Sequence, residues 1–293
     1  MKVNIINAEC DLGVDVDGAS LGPKKLKETI KNNNTINNII DVPCNCTNKD
    51  NEKNNLKKNY DRLIKYTTKL YKTILDSKDF TITIGGDHSI ATASALASIK
   101  KEKNLGIIWI DAHADYNTFE TTITGNLHGL PLATINGYNK ELSLFHDEKY
   151  FDAKKTVIIG YRSEETNKQT ELKNLSKAGV TIFTTKDLQK EGIENTLKKA
   201  FIIASNNNSN KVHISYDLDF IDPIDAPGVS IPEKNGPSKE EALELAKEIT
   251  KYIDYVSSFD IVELNPINDI DNKTLNIAKT ILNIILNKLS KEK

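Results

Sequence analysis

Short runs rich in Val, Ile and Phe recur along the 293 residues, separated by longer stretches that repeat apolar residues at helical spacing. Strands that are apolar on both faces must be covered on both, so this order of elements implies helices on either side of a mostly parallel sheet. Eight such runs stand out, at residues 3–8, 39–42, 80–84, 105–111, 156–161, 180–184, 212–219 and 256–264. Before the last of them, Ser238-Lys239-Glu240-Glu241 reads as a capping box opening a helix over 240–252, in which Ser238 accepts from the Glu241 backbone while Glu241 reaches back. After it, Leu275, Ile277, Ala278, Ile281, Leu282, Ile284, Ile285 and Leu289 share one face of a closing helix. The expected fold is α/β, a three-layer arrangement with an eight-stranded, mostly parallel sheet between helices. No internal repeat and no Pro-, Gly- or Ser-rich linker divides the chain, so residues 1–293 are expected to form one domain.

Charge narrows the choice of partner. The 39 basic and 41 acidic side chains leave a formal net charge of -2, with no footprint for nucleic acid or an anionic membrane. A small polar ligand fits better. Neither a secretory signal nor a membrane-spanning run is present, which points to the cytoplasm. Cys10, Cys44 and Cys46 are odd in number, and one residue between Cys44 and Cys46 is not zinc-type spacing, so reduced thiols are expected. The Asn/Lys-rich stretches 31–38, 45–59 and 205–210 read as solvated loops or frayed helix ends.

Acidic and histidine residues collect where strands end, the place where open α/β sheets bind ligands. Asp111, His113 and Asp115 follow one strand at a period of two, which in extended backbone aims all three to one side. In 212–219 the same alternation groups His213, Ser215, Asp217 and Asp219. His213 lies well back along that strand and is read as a hydrogen-bonded core histidine rather than a ligand. Gly85-Gly86-Asp87-His88 turns a third strand end and delivers His88, with Asp87 able to orient a neighbour.

His88, Asp111, His113, Asp115, Asp217 and Asp219 thus offer two imidazoles and four carboxylates. Buried together these carboxylates repel unless a cation holds them. So much oxygen suits Mn(II), with Fe(II) or Co(II) possible, and not a structural zinc site. The charge suffices for two ions, with Asp111 and Asp217 as bridges. Two ions about 3.5–4 Å apart turn a bridging water into hydroxide near neutral pH, which makes hydrolysis the reaction type.

In order, Gly85-Gly86-Asp87-His88-Ser89, Asp111-Ala112-His113-Ala114-Asp115, Asp217-Leu218-Asp219 with Asp222-Pro223, and Glu263-Leu264-Asn265-Pro266 resemble the ureohydrolase superfamily. Asn117-Thr118 followed by Gly125-Asn126-Leu127-His128-Gly129 is similar to the arginases within it, since agmatinases usually lack the Asn-Leu before this His-Gly. The resemblance implies a parallel eight-stranded sheet, a trimer or pair of trimers, and a dimanganese-bridging hydroxide that converts L-arginine to L-ornithine and urea. One manganese would be held by His88, Asp111, Asp115 and Asp217, the other by Asp111, His113, Asp217 and Asp219. Asp115 would pass a proton to the leaving amine, and His128, titrating near neutrality, would exchange protons with bulk water. Glu263 would face the guanidinium as an anion. Asn117 and the region of Thr122 and Thr124 would meet the substrate α-carboxylate, and Glu165 or its neighbour Glu164 the α-ammonium.

Three departures from the usual arginase pattern accompany this likeness. Thr124 stands where serine is common. Ile231 stands where many members carry threonine near the guanidinium, so that hydroxyl is missing or Ser230 replaces it. Arg162-Ser163-Glu164-Glu165 replaces a more acidic segment. Two other readings remain: an agmatinase, guanidinobutyrase or formimidoylglutamase, and a non-catalytic member that keeps the fold as a scaffold.

Overall fold

Backbone pairing turns each apolar run into a strand of one sheet. The structure, a computed structural model, describes residues 1–30, 33–46, 56–140, 151–163 and 168–291. In chain order it contains β1 (Val3–Glu9), α1 (Gly22–Glu28), β2 (Ile36–Pro43), α2 (Leu56–Asp76), β3 (Phe80–Gly85), α3 (Ala91–Lys101), β4 (Gly106–Ile110) and α4 (Pro131–Ile135). There follow β5 (Thr156–Tyr161), α5 (Lys168–Ala178), β6 (Thr181–Thr184), α6 (Thr185–Glu191), α7 (Ile193–Ala204), β7 (Val212–Asp217), α8 (Lys239–Ile249), β8 (Val256–Val262) and α9 (Lys273–Leu289). The eight strands run in the order β2-β1-β3-β8-β7-β4-β5-β6. Every pairing is parallel.

Alternation along the strands builds two cores. Ile5, Ile82, Ile108, Ile214 and Phe259 pack on one face against Leu197 of α7, Leu245 of α8 and Ile281 of α9. Ile6, Ile107, Trp109 and Ile158 face the other way, toward Leu70 of α2, Leu96 of α3 and Leu175 of α5. This second layer also buries a polar seam under α3. His213, fully buried, meets the Ser258 hydroxyl at 2.8 Å through Nδ1 and Asp260 at 3.1 Å through Nε2, while Ser94 donates to Asp260. His213 is therefore a core residue on strand β7, as its position in the run implied.

The capping box forms: Glu241 N–H donates to Ser238 Oγ at 3.2 Å and Ser238 N–H to Glu241 Oε2 at 2.7 Å. The helix stops at Ile249 and passes into a 3-10 turn, Thr250–Tyr255, short of the expected α-helical end at 252. Strand ends differ more instructively. β2 begins at Ile36, inside a stretch expected to be loop, because an edge strand tolerates polar residues: Asn38 donates to Asn4 at 2.9 Å and Asn37 to Asp79 at 2.8 Å. β4 and β7 end at Ile110 and Asp217, earlier than the runs suggested. No helix of the described residues is long and apolar enough to cross a membrane.

Candidate active site

The four central strands, β3, β8, β7 and β4, are neighbours in the sheet, and the carboxyl end of each carries chemistry-bearing residues. Ile110 pairs with Tyr216, Tyr216 with Ile261 and Ile261 with Ile84, so Asp111 and Asp217 leave the sheet at the same level.

What aims these side chains is a repeated turn rather than extended backbone. Asp111 Oδ1 accepts the His113 N–H at 2.6 Å, Asp217 Oδ1 accepts the Asp219 N–H at 2.7 Å, and Asp87 Oδ1 accepts the Ser89 N–H at 2.8 Å. An aspartate binding the backbone two residues on curls the chain out of the strand. The period of two therefore marks turns, and the expectation of extended strand through Asp115 and Asp219 is corrected. Asp115 has φ +48° and Asp219 lies in the 3-10 turn Leu218–Phe220.

The turns converge on one point. His88 Nδ1 stands 3.0 Å from Asp111 Oδ2, 3.1 Å from Asp115 Oδ2 and 2.9 Å from Asp217 Oδ2. His113 Nδ1 stands 2.8 Å from Asp219 Oδ2 and 3.6 Å from Asp111 Oδ1. Two compact ligand groups result, His88-Asp111-Asp115 and Asp111-His113-Asp219, sharing Asp111. Residues read from the sequence missed the framework around them. His88 Nε2 meets Ser215 Oγ at 2.8 Å, its ring stacks on Trp109 at 4.1 Å, and Trp109 Nε1 donates to Asp111 Oδ2 at 2.9 Å. The position of Trp109 two residues before Asp111 was the available signal.

The electrostatics ask for cations. Burial, then the charges of Asp219 and Asp111, push Asp217 well above the carboxylate range; burial and Asp111 push Asp115 up to about 6. Burial and Asp111 also raise Asp219. Against its own burial, Asp111 is held low by the adjacent His113 and His88, and both imidazoles are raised by the carboxylates despite burial. His88 Nδ1 and Asp115 Oδ2 are buried without a hydrogen-bond partner, which is costly unless something positive sits between them. The donor set is rich in oxygen with two imidazoles, the chemistry of Mn(II)-type ions.

His128 and Glu263 flank this centre. His128 Nδ1 pairs with Glu263 Oε1 at 2.9 Å, and the same oxygen accepts the His88 backbone N–H at 2.8 Å. The pairing outweighs burial and raises His128 to about 9 in the metal-free protein, above the near-neutral range expected of it. Glu263 is held low, its burial outweighed by His128.

A cleft leads to the centre past Asn117, Thr122, Thr124, Asn126, His128 and Ile231. Thr122 and Thr124 each accept a backbone N–H, from Gly125 at 3.1 Å and Asn126 at 3.2 Å, leaving the hydroxyl hydrogens to donate. Asn117 Nδ2 donates to Glu171 Oε1 at 3.2 Å. Glu171, on α5, was missed: it is buried, lines the cleft and also accepts the Tyr116 N–H at 3.0 Å. A buried carboxylate on an otherwise polar helix leaves no sequence signal. Ser230 Oγ accepts from Asn265 Nδ2 at 3.3 Å and keeps its own hydroxyl hydrogen to donate. Glu164 and Glu165 lie outside the described residues.

Comparison with known proteins agrees with this geometry. The sequence model of the "Arginase family" matches residues 1–286. The chain belongs to the arginase family. It is 34% identical over 299 residues to arginase of Bacillus subtilis strain 168, covering 98% of each chain. It superposes on native arginase of Bacillus caldovelox with a TM-score of 0.85 at 28% identity, covering 100% of this chain and 99% of that one. It also superposes on Entamoeba histolytica arginase in complex with L-ornithine, with a TM-score of 0.84 at 26% identity and 97% of each chain covered. The eight-stranded parallel sheet and the buried His/Asp cluster are thus those of an arginase-family α/β protein.

Proposed function

We propose that this chain hydrolyses the guanidinium group of L-arginine, giving L-ornithine and urea, as a metal-dependent enzyme formed by residues 1–293. The observation that carries the reading is the pair of ligand groups sharing Asp111 at the end of a polar cleft. His88, Asp111, Asp115 and Asp217 would hold one Mn2+, and Asp111, His113, Asp217 and Asp219 the other, with Fe2+ or Co2+ accepted by the same donors. Such a pair of cations, when bound, supplies a water acidified to near neutrality as the nucleophile.

The chain's own residues do the rest. Asp115 takes the nucleophile's proton and gives it to the departing ornithine amine. His128, paired with Glu263, holds a proton at the cleft wall for exchange with solvent. Glu263 Oε2 is buried without a partner and is the atom left to orient the guanidinium. Thr122, Thr124 and Asn117 line the cleft as neutral donors for the α-carboxylate, and an acidic residue, Glu171 or Glu165, receives the α-ammonium. Ile231 offers only apolar contact beside the reacting group. The family reading carries a trimer or pair of trimers, which sedimentation of the purified protein checks.

The test is urea release from arginine with and without added Mn2+. Activity that requires the ion, with kcat/KM higher for arginine than for agmatine, guanidinobutyrate or formiminoglutamate, is the expected result. A preference for agmatine overturns the substrate, and failure to bind any divalent ion overturns the enzyme.

A further inference from the structure

A second meeting of metal-binding side chains lies at the sheet edge. Cys10 follows β1, and Cys44 and Cys46 follow β2. These strands pair in parallel with Ala8 opposite Val42 and Glu9 opposite Pro43, so their carboxyl ends emerge side by side. The three sulfurs all lie within 4.8 Å of one another. The backbone fixes two of their positions: the Cys44 N–H donates to Glu9 O at 3.1 Å, and Cys10 O accepts the Asp87 N–H at 2.8 Å. The single residue between Cys44 and Cys46 argues against a zinc loop only while the third thiol is sought nearby in sequence. Topology supplies it from another strand.

We propose that Cys10, Cys44 and Cys46 bind one thiophilic d10 cation, either Zn2+ with water as a fourth ligand or three-coordinate Cu(I), in a site separate from the His/Asp centre.

Number and geometry favour an ion over a disulfide. A disulfide joins two sulfurs and leaves the third unused, whereas here three converge. Thiolates about 2.3 Å from a common ion stand about 3.8 Å apart in tetrahedral geometry, a spacing that the observed span admits. An all-sulfur set selects soft ions and rejects the hard, oxygen-seeking ones suited to the carboxylate centre. Access is graded in the right sense: Cys10 is buried at the base, and Cys44 and Cys46 are half-buried toward the surface. Thiol hydrogen bonds from Cys10 and Cys46, aided by the Arg62 guanidinium, lower Cys44 to about 5, whereas Cys46 is raised, the lowering by Cys10 being outweighed by its hydrogen bond with Cys44 and by burial. Burial raises Cys10, so its proton leaves only when a cation replaces it.

The experiment starts from reduced protein saturated with Mn2+, to which Co2+, Zn2+ or Cu(I) is added. The expected result is one further ion per chain, a sulfur-to-cobalt charge-transfer band with Co2+, and protection of the thiols from a chromogenic disulfide reagent by Zn2+ or Cu(I). Uptake of Zn2+ or Cu(I) alone tells the two ions apart. The Cys44→Ser/Cys46→Ser double variant is expected to lose the band and the extra ion while its melting temperature and Mn2+-dependent urea release stay unchanged. No extra ion, an extra ion without the thiolate band, or equal uptake by the variant overturns the site. So does formation of an intrachain disulfide by mild oxidant at the same rate with and without the ion. The thiolate band needs no turnover, so its absence is distinct from a failure of the arginine reading.

Discussion

His128 and Glu263 form the coupled pair on which the proton traffic of the site turns. Glu263→Gln removes the anion that raises His128, and the imidazole, observed by NMR titration, is expected to fall from about 9 toward its ordinary 6.5. His128→Ala is expected to lower kcat by about 10² or more while Mn2+ stoichiometry stays intact, whereas Asp217→Ala loses both ions. Equal metal loss in the two variants contradicts the assignment. The clustering of these acidic and histidine side chains was legible because aspartate, histidine and aspartate two apart leave a mark in sequence, although that mark reports three matching turns and not strand alternation. Glu171 and the cysteine cluster were not legible, because each depends on neighbours that only the folded sheet brings near.

At the level of elements, the loop after β3 has the least room for change. A Cβ on Gly86 would lie 1.8 Å from Cys10 O, a backbone atom that cannot yield. Gly86→Ala is therefore expected to displace the His88 turn, destabilise the protein by about 1–3 kcal/mol and weaken metal binding, read by chemical denaturation and metal analysis. Ser238→Ala removes a cap far from the site and is expected to cost about 1 kcal/mol with unchanged metal content. Buried strands were read well because both of their faces must be apolar, and α8 because its cap is local. The beginning of β2 escaped notice because an edge strand earns its place through asparagine hydrogen bonds instead of burial.

For the molecule as a whole, pH separates the metal-free from the loaded protein. Asp115 keeps its proton up to about 6 when folded and loses it near 3.8 when unfolded, so its contribution is full below 3.8 and lost as pH rises through 6. Asp217, Asp219, His88 and His113 are also raised, and each contribution is likewise lost with rising pH. Asp111 and Glu263 are held low and act in the opposite sense only in acid, while between pH 6 and 8 Cys44, lowered to about 5, opposes the trend and His128, raised to about 9, adds to it. Chelated protein is thus expected to melt higher at about pH 6 than at about pH 8. The Mn2+-loaded protein is expected to reverse that order, since its ligands bind deprotonated; calorimetry at both pH values checks this.

The position of β8 between β3 and β7 has one last consequence. Ribosomal synthesis delivers this strand after every other, and without it β2-β1-β3 and β7-β4-β5-β6 are two unjoined half-sheets, His88 following the rim strand of one, Asp217 ending the rim strand of the other and Asp111 one strand further in. A nascent chain therefore cannot complete the ligand group that needs His88 until β8 is in place, whereas Asp111, His113 and Asp219 already share one half-sheet.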